Sequence, residues 1–98
     1  MITRIVKLTF EPKKVKEFIK IFNDSKQHIR NFEGCKHLEL LYDVNDPHVF
    51  FTHSYWESED DLERYRNSEL FKGTWEKTKL LFGDKPKAWS LCSTEVIG

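Results

Sequence analysis

The fold is decided by the stretch from His53 to Phe82, which reads HSYWESEDDLERYRNSELFKGTWEKTKLLF. Ser58 precedes Asp61 by three residues, a capping-box-like spacing in which the hydroxyl accepts a hydrogen bond from a free N–H of the first helical turn. The carboxylates that follow Ser58 favour the positive end of the same helix. The stretch therefore begins with the end of a strand and continues as a helix from about Glu59.

A second helix-start signal follows Ser58 after about one short helix, at Asn67-Ser68. Both side chains satisfy the first backbone donors of a helix better than they fit a helix interior. We therefore expect a break at this pair and a second helix from about Glu69. Most of the aromatic surface of the C-terminal half gathers on or beside these two helices, at Trp56, Tyr65, Phe71 and Trp75.

The N-terminal part of the chain predicts a strand followed by a helix. Apolar and polar residues alternate from Ile2 to Phe10, which is the period of a strand. Proline is well placed in a helix's first turn, and apolar residues then recur at helical spacing, so the pattern predicts a helix from Pro12 to Arg30. Gly34 tolerates the left-handed conformation that redirects the chain after a helix.

A hairpin and a last strand complete the predicted elements. One strand starts near Cys35, a turn covers Asp43 to Pro47, and a strand rich in β-formers runs from Val49 to Trp56. The breaker Gly83-Asp84-Lys85-Pro86 precedes a last strand over Trp89 to Ile97. If the turn is symmetric about Asn45, His37 lies directly opposite His53.

The order of elements predicts an α+β fold, a ferredoxin-like βαββαβ sandwich with an antiparallel sheet in the order 4-1-3-2 and helices on one face. At 98 residues we expect a single domain over residues 1–98. Aromatic residues of the third strand point to both faces, and helices on one side cannot cover both. We therefore expect a homodimer through the uncovered sheet face, with a few exposed rings as the alternative.

Composition excludes several classes of partner. Sixteen basic residues balance sixteen acidic ones without a dense basic run, so nucleic acid is not expected. No segment has the length of a membrane span or the pattern of a signal peptide, and we expect a cytoplasmic protein. Cys35 and Cys92 lack metal-ligand spacing and fall on opposite edge strands of the predicted sheet. We expect neither a zinc site nor an intramolecular disulfide.

The chain resembles the antibiotic-biosynthesis monooxygenase (ABM) family. The resemblance covers nearly the whole chain in element order, and its sharp part is about thirty residues. It implies a dimeric α+β barrel of the kind that includes quinol monooxygenases, polyketide-tailoring enzymes and haem-degrading monooxygenases. The residues that carry it are Phe32-Glu33-Gly34-Cys35, Tyr55-Trp56-Glu57-Ser58, Asp61-Leu62, Tyr65, Ser68 and Phe71-Lys72.

The resemblance argues against haem degradation. Haem-degrading members carry an asparagine, a tryptophan and an iron-ligating histidine at the positions that correspond here to Val6, Tyr65 and Trp75. A tryptophan cannot ligate the iron. We therefore expect no haem, no other cofactor and no bound metal in the reaction.

Oxidation of a quinol without a cofactor needs an apolar slot for an electron-rich ring and a base to take the phenolic proton. Histidine is the simplest base near neutral pH, and His53 and His37 are the candidates because they share one predicted sheet face with Glu39, Phe51 and Tyr55. The alternatives are a histidine pair packed at the dimer interface or beside solvent, and the start of a metal site. His28 and His48, in a helix and the hairpin turn, are expected at the surface.

The candidate substrate-binding residues are aromatic. In the family, the ligand cavity lies between the paired helices and the sheet, although aromatic residues at helical spacing are also common in plain cores. Arg4 is unusual on an apolar strand face, where it reaches the edge or balances an anionic ligand. The candidates are Tyr65, Phe71, Trp75, Phe51 and Tyr55.

The sequence thus predicts a cofactor-independent monooxygenase that oxidises a small aromatic or quinol-like molecule with dioxygen. The alternative is a non-catalytic dimeric small-molecule binding or stress-response module of the same fold. A cavity with an ionisable group pointing into it favours the enzyme, and a cavity filled by Trp75 and Phe71 favours the module.

Overall fold

The computed structural model describes residues 1–98. Four strands form one antiparallel sheet, and three helices cross over between them. The strands are β1 (Ile2–Thr9), β2 (Cys35–Asp43), β3 (Asp46–Trp56) and β4 (Lys87–Leu91), and the helices are α1 (Val15–Arg30), α2 (Glu59–Arg66) and α3 (Glu69–Thr78). Short 3-10 turns at Pro12–Lys14 and Lys79–Leu81 precede α1 and follow α3. No helix is long and apolar enough to cross a membrane.

The two predicted helix starts are confirmed, and each follows from its cap. The Ser58 hydroxyl accepts from the Asp61 N–H at 3.2 Å and donates to the Asp61 carboxylate at 3.0 Å. Ser68 Oγ accepts from the Phe71 N–H at 3.1 Å. Because both signals depend on neighbours within one helical turn, sequence alone was enough to place them.

The sheet order is β2-β3-β1-β4, the predicted 4-1-3-2 arrangement. The last strand differs from its prediction, because it ends at Leu91 rather than Ile97. Leu91 pairs with Thr3, and β1 itself begins at Ile2. Beyond Leu91 the edge strand has no further partner residues, so the apolar residues Val96 and Ile97 are exposed.

A bulge at the start of β2 determines the face of the sheet on which the Cys35 side chain lies. Cys35 pairs with Trp56 and His37 pairs with Tyr55, so Lys36 has no partner residue. The extra residue turns Cys35 towards the helices, where it is buried in a cluster with Trp56. Cys35 and His37 are two residues apart on one strand, but because of the bulge they lie on opposite faces of the sheet.

A second irregularity lies in the hairpin. Asp43 pairs with Asp46, whereas Tyr42 pairs with Phe50, so the extra residues of β3 bulge out. Pro47 is among them, which fits a residue that cannot donate to the ladder of an interior strand. The predicted turn over residues 43–47 is too long, and His48 lies in β3 rather than in the turn.

The two faces of the sheet have different surroundings. The helices pack on the face that carries Leu8, Phe50 and Trp56, which are all buried. This is the covered face. The other face, here called the open face, has no helix against it, and it carries Ile5, His37, Glu39, Leu41, Phe51, His53, Tyr55, Trp89 and Leu91.

Candidate functional site

A cavity of about 350 Å³ lies between the helices and the covered face of the sheet. This volume is at the lower end of the range for sites that bind small organic molecules. Strand side chains form its floor, and the apolar side of α1 forms one wall with Phe18, Phe22 and Ile29. The sheet and the helices packed on it therefore enclose the cavity together.

The aromatic residues of α2 and α3 form the opposite wall. Tyr65, Phe71 and Trp75 all line the cavity. The Phe71 and Trp75 rings lie nearly parallel at a centroid distance of 5.8 Å, and Tyr65 meets Phe71 edge to face at 5.3 Å. The break before the Ser68 cap sets the angle between the two helices, and therefore brings these three rings into one continuous surface.

Arg4 supplies the charge in this cavity. It projects from β1 into the lining, on the face that also carries Val6 and Trp56, and its Nη1 donates to Ser90 Oγ at 2.9 Å. Burial and the nearby Arg66 lower the pKa of the Arg4 guanidinium, although Glu63 opposes the shift. An arginine remains protonated under such conditions, so Arg4 places a positive charge beside the aromatic wall.

One further cation, Arg66 at the end of α2, stands at the lining, and no acidic side chain lines the cavity. The Arg66 Nη1 donates to Glu63 at 3.0 Å, and Glu63 is not a lining residue. Lys87 of β4 also borders the cavity, but it pairs with Lys7, so its side chain belongs to the open face. No carboxylate lies within 4.0 Å of the Arg4 guanidinium. The cavity is therefore apolar along its walls and positive near its rim.

The cavity contains no group that takes a proton near neutral pH. None of the four histidines lines it, and Tyr65 is its only tyrosine. Burial, with a smaller contribution from Cys35, raises the pKa of the Tyr65 phenol far above its usual value. Tyr65 therefore stays a neutral phenol at physiological pH.

The two candidate bases lie together on the open face. Glu39 Oε1 lies 3.3 Å from His37 Nε2 and 3.2 Å from His53 Nδ1. Tyr55 packs against both imidazoles at centroid distances of 5.0 and 4.9 Å. Hydrogen bonds from His37 and then His53 hold the pKa of the Glu39 carboxyl below its usual value.

The predicted pairing of His37 with His53 is wrong in register. Glu39 pairs with His53, and His37 pairs with Tyr55, a shift of two residues. Because side chains alternate with a period of two, the shift leaves His37, Glu39, Phe51, His53 and Tyr55 on one face, as expected. The imidazoles still meet, at a centroid distance of 5.3 Å.

The predicted site residues thus divide between the two faces. Tyr65, Phe71 and Trp75 line the cavity, whereas His37, His53, Phe51 and Tyr55 do not. The thickness of the sheet separates the two groups. The assignment of His37 and His53 as catalytic bases stays a prediction, and it requires a substrate on the open face.

Sequence reasoning missed Arg66 and Lys87 as lining residues. A signal for Arg66 was present, because Leu62, Tyr65 and Arg66 have the i, i+3, i+4 spacing of one helix face. Lys87 gave no such signal, since its position depends on where the edge strand β4 begins.

A comparison with protein-family models matches residues 1–77 to the model described as "Antibiotic biosynthesis monooxygenase". A comparison with curated proteins gave no match.

Solved structures share the architecture. A structure described as an antibiotic biosynthesis monooxygenase superposes with a TM-score of 0.91 at 15% identity, covering 97% of this chain and 100% of that chain. A conserved protein from Methanosarcina mazei Go1 gives 0.87 at 20% identity, covering 93% and 91%. A protein from Pseudomonas aeruginosa gives 0.85 at 23% identity, covering 96% and 94%. At these identities the likeness shows the fold alone.

Proposed function

This chain belongs to the antibiotic biosynthesis monooxygenase family, and from that membership we propose that it is a cofactor-independent monooxygenase for a small aromatic, quinol-like substrate. The observation that carries the proposal is the cavity, in which an aromatic wall faces a half-buried arginine without a carboxylate partner. The cavity is open rather than filled by Phe71 and Trp75, and it holds an ionisable group. Both features support the enzyme over the purely structural alternative.

The aromatic wall supports a flat substrate. Offset and edge-to-face contacts with Tyr65, Phe71 and Trp75 stabilise a ring by about 0.5–1.5 kcal/mol for each pair beyond the area buried. The apolar walls also offer few hydrogen-bond partners to water beside the substrate ring. An aromatic compound of one or two fused rings therefore suits the volume of the cavity.

Arg4 replaces the missing base in this proposal. A positive charge within a few ångströms of a phenol lowers the phenol's pKa by about 1–3 units, from a free value of about 10. The bound quinol then releases its proton to water at near-neutral pH, and Arg4 stabilises the anion. No side chain of the cavity has to accept the proton.

The anion is the reactive species. It passes an electron to dioxygen, and the reduced oxygen then bonds to a carbon of the substrate ring. Breakage of the O–O bond leaves one oxygen atom on the product and releases the other as water, which carries the substrate's two displaced hydrogens. The quinol supplies all the reducing electrons and becomes a hydroxylated quinone, so the balance needs no cofactor.

Oxygen consumption with a panel of hydroquinones tests the activity, and the pair Arg4→Gln and Lys7→Gln tests its basis. Both variants remove a cation from β1, but Lys7 lies on the open face. We expect Arg4→Gln to lower kcat/KM by about 10- to 100-fold and to shift the rise of the pH profile upward, because about 1–2 pKa units of anion stabilisation are lost. Lys7→Gln should change kcat/KM by less than about twofold.

The alternative function is a non-catalytic dimeric module that binds a small aromatic molecule. The lack of a base in the cavity favours it, since binding needs no proton transfer. No oxygen uptake across the panel, together with saturable quenching of tryptophan fluorescence by the same hydroquinones, would establish this reading. Equal kinetics for Arg4→Gln and Lys7→Gln would instead remove Arg4 from the mechanism.

The proposal includes a homodimer through the open face. Leu41, Trp89 and Leu91 are 40%, 42% and 49% exposed there, and Leu41 pairs with Phe51. Exposed large apolar side chains on a sheet face without a helix over it are typical of protein interfaces. Sedimentation should give a dimer for the parent chain and a monomer for Leu41→Asp, whereas Leu80→Asp, at an exposed site away from the sheet, should leave the dimer intact.

A further inference from the structure

We propose that His37, Glu39 and His53 form a binding site for a divalent transition-metal ion of the Zn²⁺ class. The site lies on the open face, on the other side of the sheet from the cavity, and takes no part in the proposed oxidation. It would hold the ion through His37 Nε2, Glu39 Oε1 and His53 Nδ1, with at least one position left for water or another ligand.

The separations of the three donor atoms support the proposal. A tetrahedral ion with ligands at about 2.0–2.1 Å places its donors about 3.3 Å apart. Glu39 Oε1 lies 3.3 Å from His37 Nε2 and 3.2 Å from His53 Nδ1, and the three residues each place one possible ligand atom within 4.8 Å of the others. Only the two nitrogens must approach each other, and the His37 side chain is 40% exposed in the single chain, which leaves space for a small rotation.

The backbone register makes this arrangement a property of the sheet. Glu39 and His53 are cross-strand partners, and His37 precedes Glu39 by two residues on the same face of β2. The three donors therefore come from adjacent positions of a paired ladder rather than from mobile loops. Tyr55 packs against both rings and limits their orientations, as supporting residues do around metal ligands.

The negative charge of the Glu39 carboxylate is available to a bound cation. Glu39 has no lysine or arginine within 4.0 Å, and its partners within that distance are the two histidines. On the β1 side, Ile5 pairs with His53 and supplies no charge to the cluster. A carboxylate beside two imidazoles favours a metal ion that accepts nitrogen ligands.

The donor set also selects among cations. Imidazole nitrogens suit zinc, copper and nickel, whereas Mg²⁺ and Ca²⁺ prefer oxygen ligands. We therefore expect Zn²⁺ to bind and Mg²⁺ not to. A bound ion would join β2 to β3, and it should raise the thermal unfolding midpoint as its concentration rises above the dissociation constant.

Titration calorimetry of the full chain with Zn²⁺, in the absence of any quinol, tests the proposal. We expect saturation at one ion per chain, and a loss of affinity of at least about 10-fold in His53→Ala and in Glu39→Gln. His48→Ala is the matched control, because His48 also pairs with a carboxylate, Asp46, at 2.8 Å but lies outside the cluster. That variant should bind as the parent does.

A second measurement keeps the test valid if a variant folds poorly. Co²⁺ bound by the parent chain should give the visible absorption of a four- or five-coordinate site, and Glu39→Gln should weaken that spectrum. Binding of Zn²⁺ with unchanged affinity by both His53→Ala and Glu39→Gln would overturn the proposal, as would the absence of saturable Zn²⁺ binding by the parent. Because no substrate is present, these outcomes are independent of the proposed monooxygenase activity.

Discussion

The covered and open faces of the sheet are built from alternate residues of the same strands, yet they differ in kind. The covered face encloses space and presents aromatic rings with arginine, but none of its side chains takes a proton near neutral pH. The open face presents two imidazoles and a carboxylate without a helix above them. Residues that line a ligand cavity and residues that supply basic groups can therefore be neighbours in sequence and still belong to separate sites.

The largest expected effect tests whether the covered face alone carries the stability of the chain. Trp56 is 1% exposed and donates from its indole nitrogen to Ser54 Oγ at 3.0 Å. We expect Trp56→Ala to lower the free energy of unfolding by about 3–5 kcal/mol, because it leaves a large cavity. Urea unfolding followed by circular dichroism measures this loss.

Trp89 is the matched residue on the open face, where it is 42% exposed. At chain concentrations that keep the protein monomeric, Trp89→Ala should change stability by less than about 1 kcal/mol. Equal losses of unfolding free energy in Trp56→Ala and Trp89→Ala would show that the two faces contribute equally to stability.

The next prediction concerns Gly34, which lies where the chain passes from α1 to β2. Gly34 ends the turn after α1 with φ of +87°, and a Cβ atom there would overlap the Asp61 side chain at the start of α2. Gly34→Ala should cost about 1–3 kcal/mol, since both the backbone conformation and the contact oppose it. Thermal unfolding measures the change.

Gly73 provides the control for that substitution. It lies within α3, and nothing stands within 4 Å of the position of its missing Cβ. Gly73→Ala should therefore stabilise the chain by about 0.5–1 kcal/mol. If Gly73→Ala instead lowered the free energy of unfolding, the space beside Gly73 would have to be smaller than the structure shows.

The smallest effect concerns the alkaline limit of stability. Burial raises the pKa of Tyr65, so above pH of about 10 the unfolded chain loses this proton while the folded chain keeps it. The contribution of Tyr65 to the free energy of unfolding is therefore constant below that pH. Above it, the free energy of unfolding falls by up to about 1.4 kcal/mol per pH unit. Tyr65→Phe should remove this part of the slope in unfolding curves between pH 9 and about 12.

Tyr42 serves as the comparison, because its ring is 62% exposed at the end of β2. Tyr42→Phe should leave the alkaline slope of the parent unchanged. If Tyr65→Phe and Tyr42→Phe give the same slope of stability against pH, the burial of Tyr65 does not cause the alkaline loss of stability.

The sequence was sufficient wherever structure depends on near neighbours. The caps at Ser58 and Ser68 located α2 and α3 to the residue, and the order of elements was sufficient for the sheet order. The errors involve pairing between strands. The bulge at Lys36, the bulge around Pro47 and the early end of β4 each depend on a partner strand, which local pattern does not describe.

The site was predicted in part for the same reason. The aromatic residues of the cavity could be identified because they follow the period of two capped helices. Both sides of β3 carry rings, so pattern alone did not show whether Phe51 and His53 or Phe50 and Thr52 lie beneath the helices. The structure places the second pair there, in the core and the cavity lining respectively.

The bulge at Lys36 has a consequence for how this chain can change. One unpaired residue lets Cys35 belong to the interior and His37 to the exterior within the same short strand. Variation in the histidine cluster is thereby uncoupled from the packing around Trp56, and variation among the cavity rings is uncoupled from the cluster. Substitutions on either side can therefore be made and measured one at a time, without repacking the other side of the sheet.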